Sequence, residues 1–274
     1  MIQFINALLI SIGAGSIYAL MAIAMVLVWR STRVVNFAQA GMALLSTYIG
    51  YELIQVTGNF WISLPMAMVL GAGISALVEI LLIRATIGFI WGNQDVQIQP
   101  PLSKVGFSVG SETLALSPMN LLVLGTVLAM MLVLGFIFQK THLGLSLRAS
   151  AYAPEIAQLA GIRVAAIRTI GWAIAGAAGA AAGLLQTVNG TGALSPDSLE
   201  FSLLLTFGFI AAVIGGLESL PGAVLGAFIL GLVLAITQIY ISGTLVFIVA
   251  FVLLLLVLLI RPQGVIGAKV GRRA

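Results

Sequence analysis

The sequence predicts an all-α, polytopic transmembrane helix bundle, and three observations carry that prediction. Of 274 residues, 61% are hydrophobic and only 7% are charged, whereas a soluble domain is about 45–50% apolar and about 25% charged. Mean hydropathy is +1.19. Apolar stretches of span length recur along the chain, half of them closing on Lys or Arg. Too few polar residues remain to cover a water-facing surface, which excludes a soluble globular protein, a disordered chain and a nucleic-acid binder. The twelve Lys and Arg against eight Asp and Glu leave +4, a sparse excess with no basic patch. At roughly 20 residues per span plus loops, the chain has room for about eight to ten helices.

The elements follow in order. Segment one is Phe4–Trp29, closed by Arg30 and Arg33. Segment two, Val34–Val56, is unusually polar for a span, with Asn36, Gln39, Ser46, Thr47 and Glu52; Gly58-Asn59 then signals a turn. Segment three is Phe60–Ile83, closed by Arg84, and a polar stretch of some 33 residues follows. Segment four is Pro118–Phe138, closed by Lys140. After a loop carrying Lys140, His142, Arg148, Arg163 and Arg168 come segments five (Thr169–Val188), six (Leu199–Gly216), seven (Pro221–Ile241) and eight (Leu245–Ile260). The tail holds Arg261, Lys269, Arg272 and Arg273. No Lys or Arg precedes the first apolar stretch, so it lacks the charged start of a secretory signal and is expected to stay in the mature protein.

Cytoplasmic loops are rich in Lys and Arg. Arg30 and Arg33, Arg84, the 140–168 loop and the tail are therefore expected inside, and the N-terminus outside. Segments one to three and five to eight obey this. One place does not: Arg84 and Lys140 both belong inside, yet segment four alone is long enough to span between them. The 85–92 run is too short for a roughly 30 Å core. Either it is a re-entrant half-helix or a crossing is absent; absence is favoured, giving eight visible spans with a ninth missing between Arg84 and Pro118.

Small residues line single faces: Ala7, Ser11, Gly15 and Ala19 in segment one; Gly171, Ala175, Gly179 and Gly183 in segment five; Gly222 and Gly226 in segment seven. Small side chains let helix backbones approach closely in a membrane, so these positions are read as helix packing. Ser195-Pro196-Asp197 is a strong helix start, through a capping hydroxyl, a first-turn proline and a dipole-favoured acid. Asp197 and Glu200 are accordingly structural.

The 140–168 loop is long enough for one or two short helices. Pro154 can start one, Glu155 suits its first turn and Gly161 can end it. Ile156, Leu159 and Ala160 give it a small apolar face. Such a helix either docks into a partner's groove or lies flat on the membrane. The chain has no phosphate loop of the G-x-x-x-x-G-K-[ST] kind, so any ATP hydrolysis by that route would lie elsewhere. There is no cysteine and one histidine, His142, read as a loop surface residue. Disulfides, Cys-ligated metals and multi-His metal sites are thereby excluded. Glu52 and Glu79 lie near span ends, where they snorkel or pair locally. No catalytic set of Ser and His or of paired Asp occurs inside the spans.

Four motifs then resemble the branched-chain amino-acid, Liv-type, ABC transporter permease family. Arg33-Val-Val-Asn36-Phe37-Ala38-Gln39, after Gly15-Ser-Ile-Tyr18-Ala19-Leu20, looks like its opening signature. Gly144-Leu-Ser-Leu-Arg148-Ala149 followed by Ala157-Gln-Leu-Ala-Gly161-Ile162 resembles its cytosolic coupling loop. Ile214-Gly-Gly-Leu-Glu-Ser219-Leu-Pro-Gly222-Ala-Val-Leu-Gly226 resembles its glycine-rich segment, and Arg261-Pro262-Gln263-Gly264 its ending. The motifs run in the family's order over nearly the whole chain.

The resemblance implies a single permease domain over 1–274 in a bacterial cytoplasmic (inner) membrane. It implies a second permease subunit (a paralogue or a second copy), two cytosolic ATPases that carry ATP and Mg, and an extracytoplasmic substrate-binding protein. No cofactor would reside in this chain. Substrates would be leucine, isoleucine and valine, or other amino acids, amides or urea. Tyr18, Asn36, Phe37 and Gln39 are the candidates for the substrate pathway, with capping of a broken helix start as the alternative for Asn36. Arg148, Glu155, Ala157 and Gly161 are the candidates for ATPase contact; Gly15, Gly179, Gly183, Gly222 and Gly226 pack helices. Substrate would enter near Asn59, the 92–117 stretch and Asn189–Ser195. Two departures stand out. The family continues the Asn-Phe-Ala motif into an acidic residue, where this chain has Gln39, Ala40 and Gly41. Relatives also carry a further span of about 25 residues soon after the position of Arg84. The rival classes are a stand-alone secondary carrier or channel for small polar solutes, which would transport without ATPases, and an intramembrane enzyme.

Overall fold

The computed structural model describes residues 2–32, 36, 38–77, 90–91, 95–109, 112–195 and 199–266. Arg33, Phe37, Glu79, Arg84, Pro196, Asp197, Lys269, Arg272 and Arg273 lie outside the described residues, as does the 85–92 run apart from Ile90 and Trp91. The architecture is an all-α bundle. Its long helices are α1 (Ile2–Thr32), α2 (Gln39–Thr57), α3 (Phe60–Leu77) and α4 (Pro118–Lys140), then, after the short α5 (His142–Tyr152) and α6 (Pro154–Leu159), α7 (Val164–Asn189), α8 (Leu199–Gly215), α9 (Leu220–Tyr240) and α10 (Val246–Ile260). Two pairs of two-residue strands join the loops: β1 (Val96–Gln97) with β4 (Ala193–Leu194), and β2 (Ser108–Val109) with β3 (Glu112–Thr113).

Among the described residues, five stretches are long and apolar enough to cross a membrane: Ile2–Arg30, Pro118–Lys140, Val164–Asn189, Leu220–Tyr240 and Gly243–Ile260. The apolar helices of α3 and α8 are shorter. Helices suit a bilayer because every backbone group inside them is satisfied within the segment. Their ends carry the expected signals. Ser117 caps α4 by accepting from the Asn120 amide, with Pro118 in its first turn, and Ser219 caps α9 by accepting from Gly222 with Pro221 following. Gly58 ends α2 in the left-handed region at φ 62°, its N–H donating to Ile54.

Helix α1 is the central post. Residues Ala19–Val28 form a run of almost completely buried side chains. It packs on α7, α8 and α9, and on α4 along its edge. Helices α1 and α4 run parallel: Ala115, just before α4, donates to Asn6 at 3.2 Å, and at the other end Arg30 lies 4.6 Å over the Phe138 ring. Two ends of the bundle are thus marked, one by Asn6 and one by Arg30. Close approach depends on glycine where α1 crosses α9. A Cβ on Gly231 would meet the Gly15 Cα at 2.9 Å, and one on Gly15 would meet the Phe228 backbone at 3.2 Å. Gly215 on α8 faces the carbonyl of Gly222, and Gly226 faces that of Ala211, leaving no room for a side chain at either contact.

The described residues between α3 and α4 sit at the Asn6 end. Trp91 donates from Nε1 to Glu52 at 2.8 Å, Ile98 pairs with Gly192, Lys104 donates to the Gly190 carbonyl at 2.7 Å, and Met119 donates to Ser103.

Helix α7 begins at Val164, five residues before the sequence boundary at Thr169. The charged stretch around Arg163 and Arg168 had been counted as loop. Arg168 continues the helix, exposed beyond the apolar part.

Candidate functional site

Three places carry the candidate residues. The first is the start of α2. Asn36 is buried at 8% exposure and Gln39 completely. Asn36 accepts from the Ala38 amide through Oδ1 at 3.0 Å, a tight turn just ahead of α2, whose own N-cap, Ala38, has no side-chain cap bond, and donates through Nδ2 to Gln39 Oε1 at 3.2 Å. Gln39 in turn donates through Nε2 to the Ala175 carbonyl on α7 at 3.1 Å. Gly179 makes space for this, since a Cβ there would meet Gln39 Nε2 at 2.5 Å. One turn on, Gly183 faces the Thr47 hydroxyl and the Ala43 carbonyl. The small face of α7 read from the sequence therefore lies against the polar face of α2. In a low-dielectric interior such a pair must be satisfied, and here it is, by partners on two helices.

The second place is the projection at the Arg30 end. Helix α5 is capped by Thr141, which accepts from Gly144. Gly144 itself stands against the last turn of α4, facing the Ile137 carbonyl. Pro154 opens α6 and Gly161, at φ 83°, turns the chain out of it, with Ile162 donating back to the Ala157 carbonyl at 2.9 Å. Ala157 is 3% exposed and faces inward as the anchor of the turn. Tyr152, Ile156 and Leu159 face outward, exposed to 79%, 68% and 90%. Glu155 and Arg148 are exposed beside them, and Arg148 Nε donates to the Gly144 carbonyl at 3.3 Å. The sequence pointed to Ile156 and Leu159 as an apolar face. Tyr152 was missed, although an aromatic residue two positions before Pro154 is a visible signal of a surface knob.

The third place is a cavity of about 220 Å³ at the Asn6 end, between α1, α4 and α7. It is where Tyr18 lies, with Asn120, Gln186 and Asn189. Its floor is aromatic: Tyr18 lies 5.2 Å from Phe207, which stacks on Phe247 at 5.6 Å. The sequence named Tyr18 for the pathway and Asn189 among the entry loops. Asn120 lies on α4, and Gln186 stands one turn before Asn189 on α7, so no local pattern joins Asn120 to the α7 pair.

The glycine-rich motif and the ending meet. Val265 donates to the Ile214 carbonyl at 2.8 Å and Ile266 to Gly215 at 3.2 Å, while Gly264, at φ 80°, lies against Gly216. Glu52 is held by Trp91, and Glu200 accepts from Thr191 at 3.3 Å. Ser195 is described, but the two residues that follow it in the helix-start motif are not. Among the described residues, no group of three or more His, Cys, Asp or Glu is arranged to hold a metal ion.

The chain is similar along most of its length to known transport permease proteins. A family model described as branched-chain amino acid transport system / permease component matches residues 7–91 and 86–258. The probable branched-chain amino acid transport permease protein LivH of Methanocaldococcus jannaschii is 28% identical over 294 residues, covering 92% of this chain and 89% of that one. The high-affinity branched-chain amino acid transport system permease protein LivH of Salmonella typhimurium is 26% identical over 300 residues, covering 97% and 96%. BraD of Pseudomonas aeruginosa, a permease protein of the same description, is 27% identical over 298 residues, covering 97% and 95%. No solved structure gives a significant match. Since 97% of the 274 residues is about 266, the 300-position alignment with the Salmonella protein holds about 34 positions with no residue from this chain. The chain is a multi-pass membrane protein, and it belongs to the family of branched-chain amino acid transport permease components.

Proposed function

We propose that this chain is the membrane-spanning permease subunit of an ABC importer for branched-chain amino acids in the bacterial cytoplasmic membrane. The single observation that carries the reading is the family match along nearly the whole chain. The projecting α5–α6 pair supports it, because Tyr152, Ile156 and Leu159 offer an apolar, water-exposed knob of the kind that seats in a partner's groove. Cytosolic ATPases would grip that knob, and Mg-ATP would be bound by them. A second permease subunit and an extracytoplasmic binding protein would complete the assembly, with 1–274 as one transmembrane domain and 140–168 as its coupling loop.

The Arg30 end is the cytoplasmic one, because Arg30, Lys140 and Arg148 gather there with α5 and α6. The Asn6 end is then outside, with the N-terminus, while the chain's tail is inside. On this placement the described helices account for eight crossings and one more is missing between Arg84 and Pro118. The family model matches in two segments, and they overlap at residues 86–91, within that stretch. Tyr18 lies on the outer half of the pathway. Asn36 and Gln39 mark its inner half, where α2 begins.

Co-expression with the ATPases, purification and reconstitution test the reading. Leucine uptake that requires ATP and a receptor is expected. Uptake by the chain alone, without ATP or partners, would make it a stand-alone carrier.

A further inference from the structure

We propose that the groove where α1, α4, α5 and α9 meet at the Arg30 end binds one anionic glycerophospholipid. The site needs only a membrane-spanning chain; the orientation read above makes its leaflet the cytoplasmic one. The groove holds about 490 Å³. Its mouth is cationic, lined by Arg30 from α1, Lys140 from α4 and Arg148 from α5. Arg30 and Arg148 also line one small void with Leu147, which places both at the same spot. Two of the three cations close helices, where the dipole favours them. Arg148 sits in the middle of α5, where no dipole calls for it. Its Nε bond to the Gly144 carbonyl draws the guanidinium back toward the point where Gly144 stands against α4. Among the described residues that line the groove none is acidic; Glu218 lines a separate cavity with Trp29. Like charges gathered at one place repel unless an anion answers them. Leu220 and Pro221 form another wall and bring the positive end of the 21-residue α9.

Away from the cations the groove is apolar. Met131, Leu132, Gly135 and Phe136 line it from one face of α4, at the spacing of successive turns. Leu132 and Phe136 are exposed, so this face opens toward the bilayer. Lys140 and Met131 stand about 13 Å apart along the helix at 1.5 Å per residue, close to half of a hydrocarbon core of about 30 Å. The groove is therefore one leaflet deep. Gly135 keeps it open, since a Cβ there would meet nothing within 4 Å. A soluble phosphate would answer the cations and leave the apolar part empty. A neutral lipid would fill the apolar part and leave the cations facing one another. An anionic phospholipid does both, with its phosphate among Arg30, Lys140 and Arg148 and an acyl chain laid along α4. Basic pockets between helices on the cytoplasmic side suit such headgroups.

The test is native mass spectrometry of the purified full chain in detergent, titrated with dioctanoyl phosphatidylglycerol or dioctanoyl phosphatidylcholine. One phosphatidylglycerol is expected to bind about tenfold more tightly than phosphatidylcholine. Lys140→Gln and Arg148→Gln should each weaken phosphatidylglycerol about fivefold, the effect of one lost cation beside an anionic headgroup, and leave phosphatidylcholine unaffected. Lys140→Arg should retain the preference. Gly135→Phe, which fills the groove, should weaken phosphatidylglycerol about tenfold. Wild-type melting temperature in lipid-free detergent reports intact folding of each variant. Equal binding of the two lipids would overturn the headgroup site. So would an unchanged preference with Lys140→Gln and Arg148→Gln combined, or inorganic phosphate that competes as well as phosphatidylglycerol does. Unchanged affinity in Gly135→Phe would overturn the acyl groove. Loss of the bound lipid on adding the ATPases or a second permease chain would give the groove to a protein partner and overturn the lipid site. The transport reading is tested separately, by uptake.

Discussion

Gln39 donates a hydrogen bond to the Ala175 carbonyl across the α2–α7 boundary at 3.1 Å, and its only route there is the space left by Gly179. Gln39→Leu keeps the volume but strands the Asn36 amide, which has Gln39 Oε1 as its partner. Leaving a buried donor unpaired costs about 1–3 kcal/mol. A lowered melting temperature in detergent is expected. Gly179→Val should lower it at least as far by driving Gln39 out, and equal stability of both variants with the wild type would remove the pair's structural role.

The α8–α9 contact predicts a contrast between glycines. Gly226→Leu places a side chain against the Ala211 carbonyl and the Gly215 backbone, an overpacking that costs about 1–3 kcal/mol or more. Gly125→Ala meets nothing within 4 Å and is expected to leave thermal stability unchanged. Measured melting of the two variants in one detergent checks the difference.

The exposed knob on α5–α6 predicts a separation of functions. Leu159→Asp and Ile156→Asp should reduce retention of the ATPase subunits about tenfold or more, in line with the loss of a hot-spot anchor. Neither should alter the thermal stability of the bundle, since both side chains are outside it. Gly161→Val acts differently. At φ 83° a β-branched residue is strained by about 1–2 kcal/mol, so the α6 turn should reorient and both coupling and uptake should fall.

The orientation is open to direct measurement because the chain has no native cysteine. Single cysteines at Ser103 and Thr191 are expected to react with a membrane-impermeant thiol reagent added to intact cells. Cysteines at Leu159 and Glu155 should react only after permeabilisation. The reverse pattern would invert the assigned topology.

Much of the bundle was legible because long apolar runs and their basic closures are strong local signals. Pro154 and Gly161 announced α6 through fixed backbone preferences, and the structure places its ends beside them. The start of α7 was less legible because a helix continuing into water carries Arg163 and Arg168 as readily as a loop does. The pairing of Val96–Gln97 with Ala193–Leu194 joins two residues to two across a separation no periodicity spans. The cavity was hidden in part for the same reason: Asn120 on α4 meets Tyr18 and the α7 pair Gln186 and Asn189 only in the folded bundle. The parity conflict at Arg84, by contrast, needed only charge signs.

The sealed layer formed by Ala19–Val28 also has an electrical consequence. If water fills the vestibule down to Tyr18, most of the membrane voltage drops across that thin apolar layer rather than across the full bilayer. Moving one elementary charge through such a field is worth about 2.3 kcal/mol per 100 mV. No Lys, Arg, Asp or Glu occurs between Met1 and Trp29, so that stretch of the central post moves no side-chain charge through the field when it shifts.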